Sequence, residues 1–151
     1  MRVIQKVAVL GAGTMGSGIA QLTAQSGFAT IQYDVSESML EKSRKSISDN
    51  LNFLLGKNKI SEQQKVEIEK RIRFTTRVED CAADAVVEAI VEKMESKISL
   101  FQQMTEVQSR HTLFASNTSS LSISALQAHI HCPERFAGMH FFNPAPVMKL
   151  V

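Results

Sequence analysis

Residues Gly11-Ala12-Gly13-Thr14-Met15-Gly16 carry three glycines at the spacing GxGxxG, and an acid, Asp34, follows the last of them by eighteen residues. Where such a turn meets a pyrophosphate, each glycine has its own task. The first permits the tight turn, the second lets the backbone approach the phosphates without a Cβ in the way, and the third lets the following helix pack closely. The N-terminus of that helix offers unpaired N–H groups and the positive end of its dipole to an anion, with no lysine required. A carboxylate at Asp34 can accept both ribose hydroxyls of an adenosine and would repel the extra phosphate of NADP, so the pattern points to NAD. The bland alternative is a glycine-rich turn beside an aspartate helix cap, against which the register of strand, loop, helix and acid weighs.

Ser119 sits in the run Ser116-Asn117-Thr118-Ser119-Ser120 after an apolar segment. Its hydroxyl is suited either to a substrate oxygen on which charge develops or to an ST turn or helix cap, and the residues alone leave both open. His129, His131 and Cys132 resemble a metal cluster only superficially, because no fourth ligand stands at a recognised spacing and Pro133 marks a turn. No metal is expected. Met139, Phe141 and Phe142 read as core packing or as a lining for the cofactor pocket.

The elements that must position these residues are legible from apolar periodicity. Residues 6–10, a short apolar run ending at Gly11, have the pattern of a strand buried on both faces. A helix follows with Met15, Ile19 and Leu22 on one face and Gly27 as its stop, then a strand over 29–33 that ends at Asp34. This is a βαβ unit. Ser36 caps a long helix with Leu40, Ile47, Leu51 and Leu54, ending near Gly56. Ser61 with Gln64 forms a capping-box signature for a second helix continued by Val66 and Ile72. Together they predict a helical hairpin over about 36–73. Further strands are expected at 73–76, 85–90 and 113–115, a helix over about 95–108 with Ile98, Phe101 and Met104, and a short helix near 124–128. Alternating strands and helices imply an α/β fold of Rossmann type, doubly wound around a mostly parallel sheet, with the hairpin inserted.

The chain has 151 residues, 44% of them hydrophobic and 21% charged, with a net charge of +2. A chain of this length buries roughly 70% of its unfolded surface, enough for one core, and one domain over 1–151 is expected. The small net charge argues against nucleic acid as a partner. Ten basic and four acidic residues between Lys42 and Arg77 concentrate the positive charge on the hairpin, at net +6. No apolar stretch approaches the roughly 20 residues of a membrane span, so no membrane partner is expected. The N-terminus shows no export or transit leader, and two cysteines are too few for a disulfide framework, which fits a cytoplasmic protein.

The segments GAGTMGSGIAQ, VVEAIVE, FASNTSSL and RFAGMHFFNPAPVMKLV, in this order, closely resemble the N-terminal domain of the L-3-hydroxyacyl-CoA dehydrogenases, including 3-hydroxybutyryl-CoA dehydrogenases. The resemblance covers essentially the whole chain. GAGTMG is shared with many nucleotide-binding domains, whereas HFFNP after SNTSS is far more specific. The family oxidises the 3-hydroxyl of an acyl-CoA by passing hydride to NAD, reversibly. A second, mostly helical domain, outside this chain, supplies dimerisation and part of the substrate site.

Carried over by this resemblance, the cofactor-binding positions are the Gly11 to Gly16 loop, Asp34, Glu92, Lys97, Ser119 and Asn143. From the residues alone, Glu92 and Lys97 read equally as a solvated charge pair, and Asn143 as a turn residue before Pro144. The resemblance makes His140 the catalytic base and Ser119 a catalytic and substrate contact. A histidine suits this task because its pKa lies near neutrality. The glutamate that holds the histidine ring in the family falls immediately beyond Val151, so the 151-residue chain alone is expected to be inactive. Lys57 falls on a CoA contact, or else is a solvated helix end. A neighbouring CoA contact, serine in some relatives, is Asn50 here, a departure from the family's pattern. The resemblance thus implies an acyl-CoA substrate, NAD as cofactor and a homodimer built through the second domain. The alternatives are a dehydrogenase acting on a non-CoA hydroxy acid such as a sugar acid, and a nucleotide-binding module inactive in isolation.

Overall fold

The computed structural model describes residues 3–151; residues 1 and 2 lie outside the described residues. Six strands form one sheet: β1 (Lys6–Leu10), β2 (Ala29–Tyr33), β3 (Ile72–Thr75), β4 (Ala85–Glu88), β5 (Leu113–Ser116) and β6 (Phe136–Gly138). Their order across the sheet is β3-β2-β1-β4-β5-β6, and all five pairings are parallel. This is the doubly wound Rossmann order, in which the chain leaves β1 in one direction and later returns to β1's other side with β4.

Helices α1 (Thr14–Gln25), α2 (Glu37–Gly56) and α3 (Glu62–Arg71) pack on one face, and α4 (Met94–Val107) with the short α5 (Ile123–Gln127) on the other. Strand alternation divides the core accordingly. Val7 and Val9 join Ile19, Ala24, Ile47 and Leu51 on the first face, whereas Ala8 and Leu10 join Leu100, Phe101 and Met104 on the second. Phe101 is the pivot of that second layer, edge-on to Phe114 at 6.1 Å and to Phe136 at 5.1 Å between centroids.

The helix signals act as their chemistry requires. Ser36 accepts the Met39 N–H at the start of α2, and Ser61 and Gln64 form a reciprocal capping box at the start of α3. Gly27, at φ +94°, closes α1 with its N–H on the Ala24 carbonyl. Three expectations need correction. Val66 faces outward, and Ile68 is the residue α3 buries. Ile72 belongs to β3 and not to α3, because it pairs with Thr30 at the sheet edge. Met139 and Phe142 are exposed; of the three residues assigned to core or pocket lining, Phe141 alone is buried.

Candidate active site

The site is built where β1 and β4 diverge. Gly11 follows β1 at φ +108°, and a Cβ there would lie 2.6 Å from the Ala89 carbonyl oxygen just beyond β4. Gly16 closes the turn from the other side, since a Cβ on it would fall 2.0 Å from the Gly11 carbonyl oxygen. Both positions therefore exclude any side chain. Gly13 differs: a Cβ there would meet nothing within 4 Å, so it faces open space at the mouth of a cleft of about 780 Å³. No side chain caps α1 at Gly13, which leaves the helix N-terminus free for an anion.

Asp34, at the end of β2, lines the same cleft. Its carboxylate accepts the Ala12 N–H at 2.8 Å through Oδ2 and the Ser36 N–H at 2.9 Å through Oδ1. Two N–H groups leave acceptor capacity on a carboxylate with about four lone-pair sites. Behind it, buried Gln32 donates to the Gly11 carbonyl at 3.2 Å and accepts from Ser43 at 2.7 Å, tying β2 and α2 to the glycine turn. The residues present fit a dinucleotide: open backbone at Gly13, an uncapped helix start and an acid at the second strand's end.

Gly11, Gly13, Thr14, Met15, Asp34, Glu92 and Ser119 all line this cleft. Ala12 and Gly16 are buried behind it. Lys97 is neither a solvated pair nor a lining residue. Its side chain is 1% exposed, and its Nζ reaches Glu88 Oε1 at 2.6 Å and Glu92 Oε2 at 3.2 Å. Glu92 Oε1 accepts the Thr118 hydroxyl, the Ser119 N–H at 3.0 Å and the Ser120 N–H at 3.3 Å. Partial burial works against the Glu92 charge, but the Thr118 hydroxyl, Lys97 and the Ser119 N–H outweigh it and bring its pKa down to about 2.

Ser119 Oγ lies 3.2 Å from His140 Nε2. The imidazole also stacks on Phe142, with 5.2 Å between centroids and 18° between planes. The backbone on either side of His140 is pinned to the end of β5: Met139 N–H donates to the Ser116 carbonyl at 3.0 Å and Phe141 N–H to Asn117 Oδ1 at 2.8 Å. Asn143 is exposed and precedes Pro144 through a cis peptide bond. The loop it begins rests on α1, where a Cβ at Gly18 would come within 3.2 Å of Ala145 Cβ.

Asn50 and Lys57 do not line the cleft. Asn50 donates to Gln21 Oε1 at 3.2 Å and borders a shallow depression with Lys42, Lys45 and Phe53. Lys57 is the C-cap of α2, its Nζ 5.7 Å from the centre of the Phe53 ring. Two residues escaped the sequence reading. Glu88 is 0% exposed and accepts from Ile90 N–H, Lys97 and Ser116, while Asn117 holds Phe141. The sign of Glu88 was available: an acid ending the apolar strand Ala85-Val86-Val87, with a lysine nine residues on.

The strand order, the glycine turn and the acid after β2 together define a dinucleotide-binding domain of the Rossmann class. Residues 6–151 match the family model described as 3-hydroxyacyl-CoA dehydrogenase, NAD binding domain. The chain is 45% identical over 149 residues to the 3-hydroxyadipyl-CoA dehydrogenase of Escherichia coli K12, covering 98% of this chain and 31% of that protein. It is 42% identical over 156 residues to the mitochondrial hydroxyacyl-coenzyme A dehydrogenase of Rattus norvegicus, covering 98% of this chain and 49% of that one. The crystal structure of 3-hydroxybutyryl-CoA dehydrogenase from Escherichia coli K12 superposes with a TM-score of 0.95 at 44% identity, over 98% of this chain and 32% of that one. The chain belongs to the 3-hydroxyacyl-CoA dehydrogenase family and matches its NAD-binding domain. It spans between about a third and a half of the length of these relatives.

Proposed function

We propose that the chain is the cofactor-binding part of an enzyme that oxidises the 3-hydroxyl of an L-3-hydroxyacyl-CoA to the ketone, reversibly. The observation that carries the reading is the Ser119–His140 pair, with Ser119 also on the lining of the dinucleotide cleft. The Gly11 to Gly16 turn and the start of α1 hold the pyrophosphate, Asp34 the adenosine ribose, and Glu92, Lys97, Ser119 and Asn143 the nicotinamide side, Lys97 acting through Glu92. Bound NAD supplies the acceptor for the hydride.

His140 takes the hydroxyl proton at Nε2. The Ser119 hydroxyl, which meets Nε2 in the resting pair, turns to the substrate oxygen and steadies the charge developing there. The CoA portion lies along the hairpin near Asn50 and Lys57, supported by the positive balance of residues 42–77. The whole enzyme acts as a homodimer through a second, helical domain, a reading that rests on the family resemblance. Among the described residues no helix is long and apolar enough to cross a membrane. Free Cys81 and Cys132 fit a reducing compartment, and the cytoplasm is the location proposed.

The test is acetoacetyl-CoA-dependent oxidation of NADH by the complete protein, with the 151-residue chain beside it. Turnover by the complete protein, with NADPH much poorer, is the expected result. NADH binding without turnover of acetoacetyl-CoA would reject the acyl-CoA reading and leave a non-CoA hydroxy acid as the substrate to seek.

A further inference from the structure

Beneath the cleft lies a charged group whose buried acid, Glu88, the reaction as described leaves without a task. Glu88 is fully buried at the end of β4 and Lys97 is 1% exposed on the first turn of α4. Neither lines the cleft. Burying an ion pair is costly unless every polar atom is well satisfied, and here it is. Glu88 accepts from Ile90 N–H at 2.6 Å, Lys97 Nζ at 2.6 Å and Ser116 Oγ at 2.5 Å. Lys97 then passes on to Glu92.

Both ends of this group lead to the reacting pair. At one end Glu92 Oε1 holds Thr118 Oγ1 and the Ser119 N–H, so it fixes the residue whose Oγ meets His140. At the other end Glu88 holds the Ser116 hydroxyl, while the Ser116 carbonyl accepts from Met139, the neighbour of His140. The adjacent Asn117 secures Phe141 on the far side of that histidine, and its own N–H donates to the Glu88 carbonyl at 2.8 Å.

We propose that buried Glu88 and Lys97, together with Glu92 at the cleft wall, form a strut that sets Ser119 and His140 against each other, making Glu88 and Thr118 positioning residues for the reaction. The inference rests on the dehydrogenase reading for its effect on turnover, but the geometry of the pair is measurable without it. A small displacement of such a pair is expected to act on kcat more than on ground-state binding.

The experiment uses the complete protein. Glu88→Gln keeps side-chain volume and an acceptor for Ile90 while removing the charge that faces Lys97. Thr118→Val keeps shape and removes the hydroxyl that Glu92 holds, and Thr118→Ser restores it. Three readouts are taken: kcat and KM for acetoacetyl-CoA, the Kd for NADH, and the imidazole NMR titration of His140, assigned by its loss in His140→Gln.

The strut predicts that Glu88→Gln and Thr118→Val each lower kcat about tenfold, with KM and the NADH Kd within about twofold. The His140 titration curve moves in both, those of His111, His129 and His131 do not, and Thr118→Ser behaves as wild type. Should Glu88→Gln fail to fold, Thr118→Val decides alone. An unmoved His140 titration, or a fall in kcat matched by an equal loss of NADH binding, overturns the proposal. Should the wild-type protein not turn over acetoacetyl-CoA, the dehydrogenase reading fails, while the His140 titration still decides the strut.

Discussion

The Ala12 N–H donates to Asp34 Oδ2 at 2.8 Å, which links the middle of the glycine turn to the acid at the end of β2. The residue proposed to read a ribose thus also sets the loop proposed to hold phosphate. Removing it has two consequences at once.

Asp34→Ala is expected to weaken NADH binding at least about tenfold, or ~1.4 kcal/mol. The preference for NADH over NADPH narrows, because the repelling carboxylate is gone. The buried Ala12 N–H loses its acceptor, so unfolding free energy falls by about 1–3 kcal/mol. Titration with both cofactors and a urea melt check the two parts. Unchanged discrimination between NADH and NADPH would contradict the assignment.

The glycines separate folding from binding. A Cβ at Gly16 would fall 2.0 Å from the Gly11 carbonyl oxygen, so Gly16→Ala must displace α1 or the turn and should lower stability by about 2 kcal/mol or more. At Gly13 the added methyl meets no protein atom within 4 Å. Gly13→Ala should melt like the wild type and still lose NADH affinity. Comparing melting temperature with NADH Kd in the two variants tests this directly, and a Gly13→Ala chain that binds NADH normally would place the pyrophosphate elsewhere.

Acid should loosen the turn that carries Ser119. The Glu92 pKa stands at about 2 in the folded chain, below its ordinary value of 4.5. A depressed folded pKa contributes stability that is present above the unfolded value and lost as pH falls from about 5 toward 2. Glu92→Gln abolishes that contribution. Denaturant melts at pH 7 and pH 3 are expected to show a stability gap between wild type and Glu92→Gln that narrows at the lower pH. A gap independent of pH would show that the Glu92 charge does not hold the turn.

The two cysteines should differ in reactivity. Cys81 is fully buried, and burial, reinforced by the nearby Asp80 and Glu79 charges, pushes its thiol up to about 12. Cys132 is partly exposed. A thiol reagent at pH 8 is expected to modify one cysteine in the folded chain and both in denaturant. Fast modification of both in the folded chain would mean that the layer around Cys81 opens readily.

Much of this architecture was legible because its signals are local. The strand-turn-helix of residues 6–25, the caps at Ser36 and Ser61, and Asp34 closing β2 are each determined within a few residues. The failures lie where long-range packing decides. Val66 fits the helical period of α3, yet that helix presents Ile68 to the core, and Ile72 is drawn from the helix into β3 by its pairing with Thr30. From the residues alone Lys97 reads as half of a solvated pair with Glu92, because its buried partner, Glu88, lies on a different element. Glu88 meets it only when α4 packs back on β4. Asn117 gives no sign in the sequence that it will hold Phe141, since the contact spans 24 residues and needs β6 in place. In the candidate site the residue types were readable, Glu88 and Lys97 included, whereas the contacts that join them to Ser116 and Glu92 are visible only in three dimensions.

His140 is proposed to remove the substrate proton while taking no part in holding the cofactor. The most direct measurement compares wild type with His140→Gln in the complete protein, following NADH oxidation by acetoacetyl-CoA together with NADH affinity. Turnover is expected to fall at least about 10²-fold, the lower end of what a positioned base contributes, with NADH Kd changed less than about twofold. Turnover retained in His140→Gln would remove His140 from the chemistry.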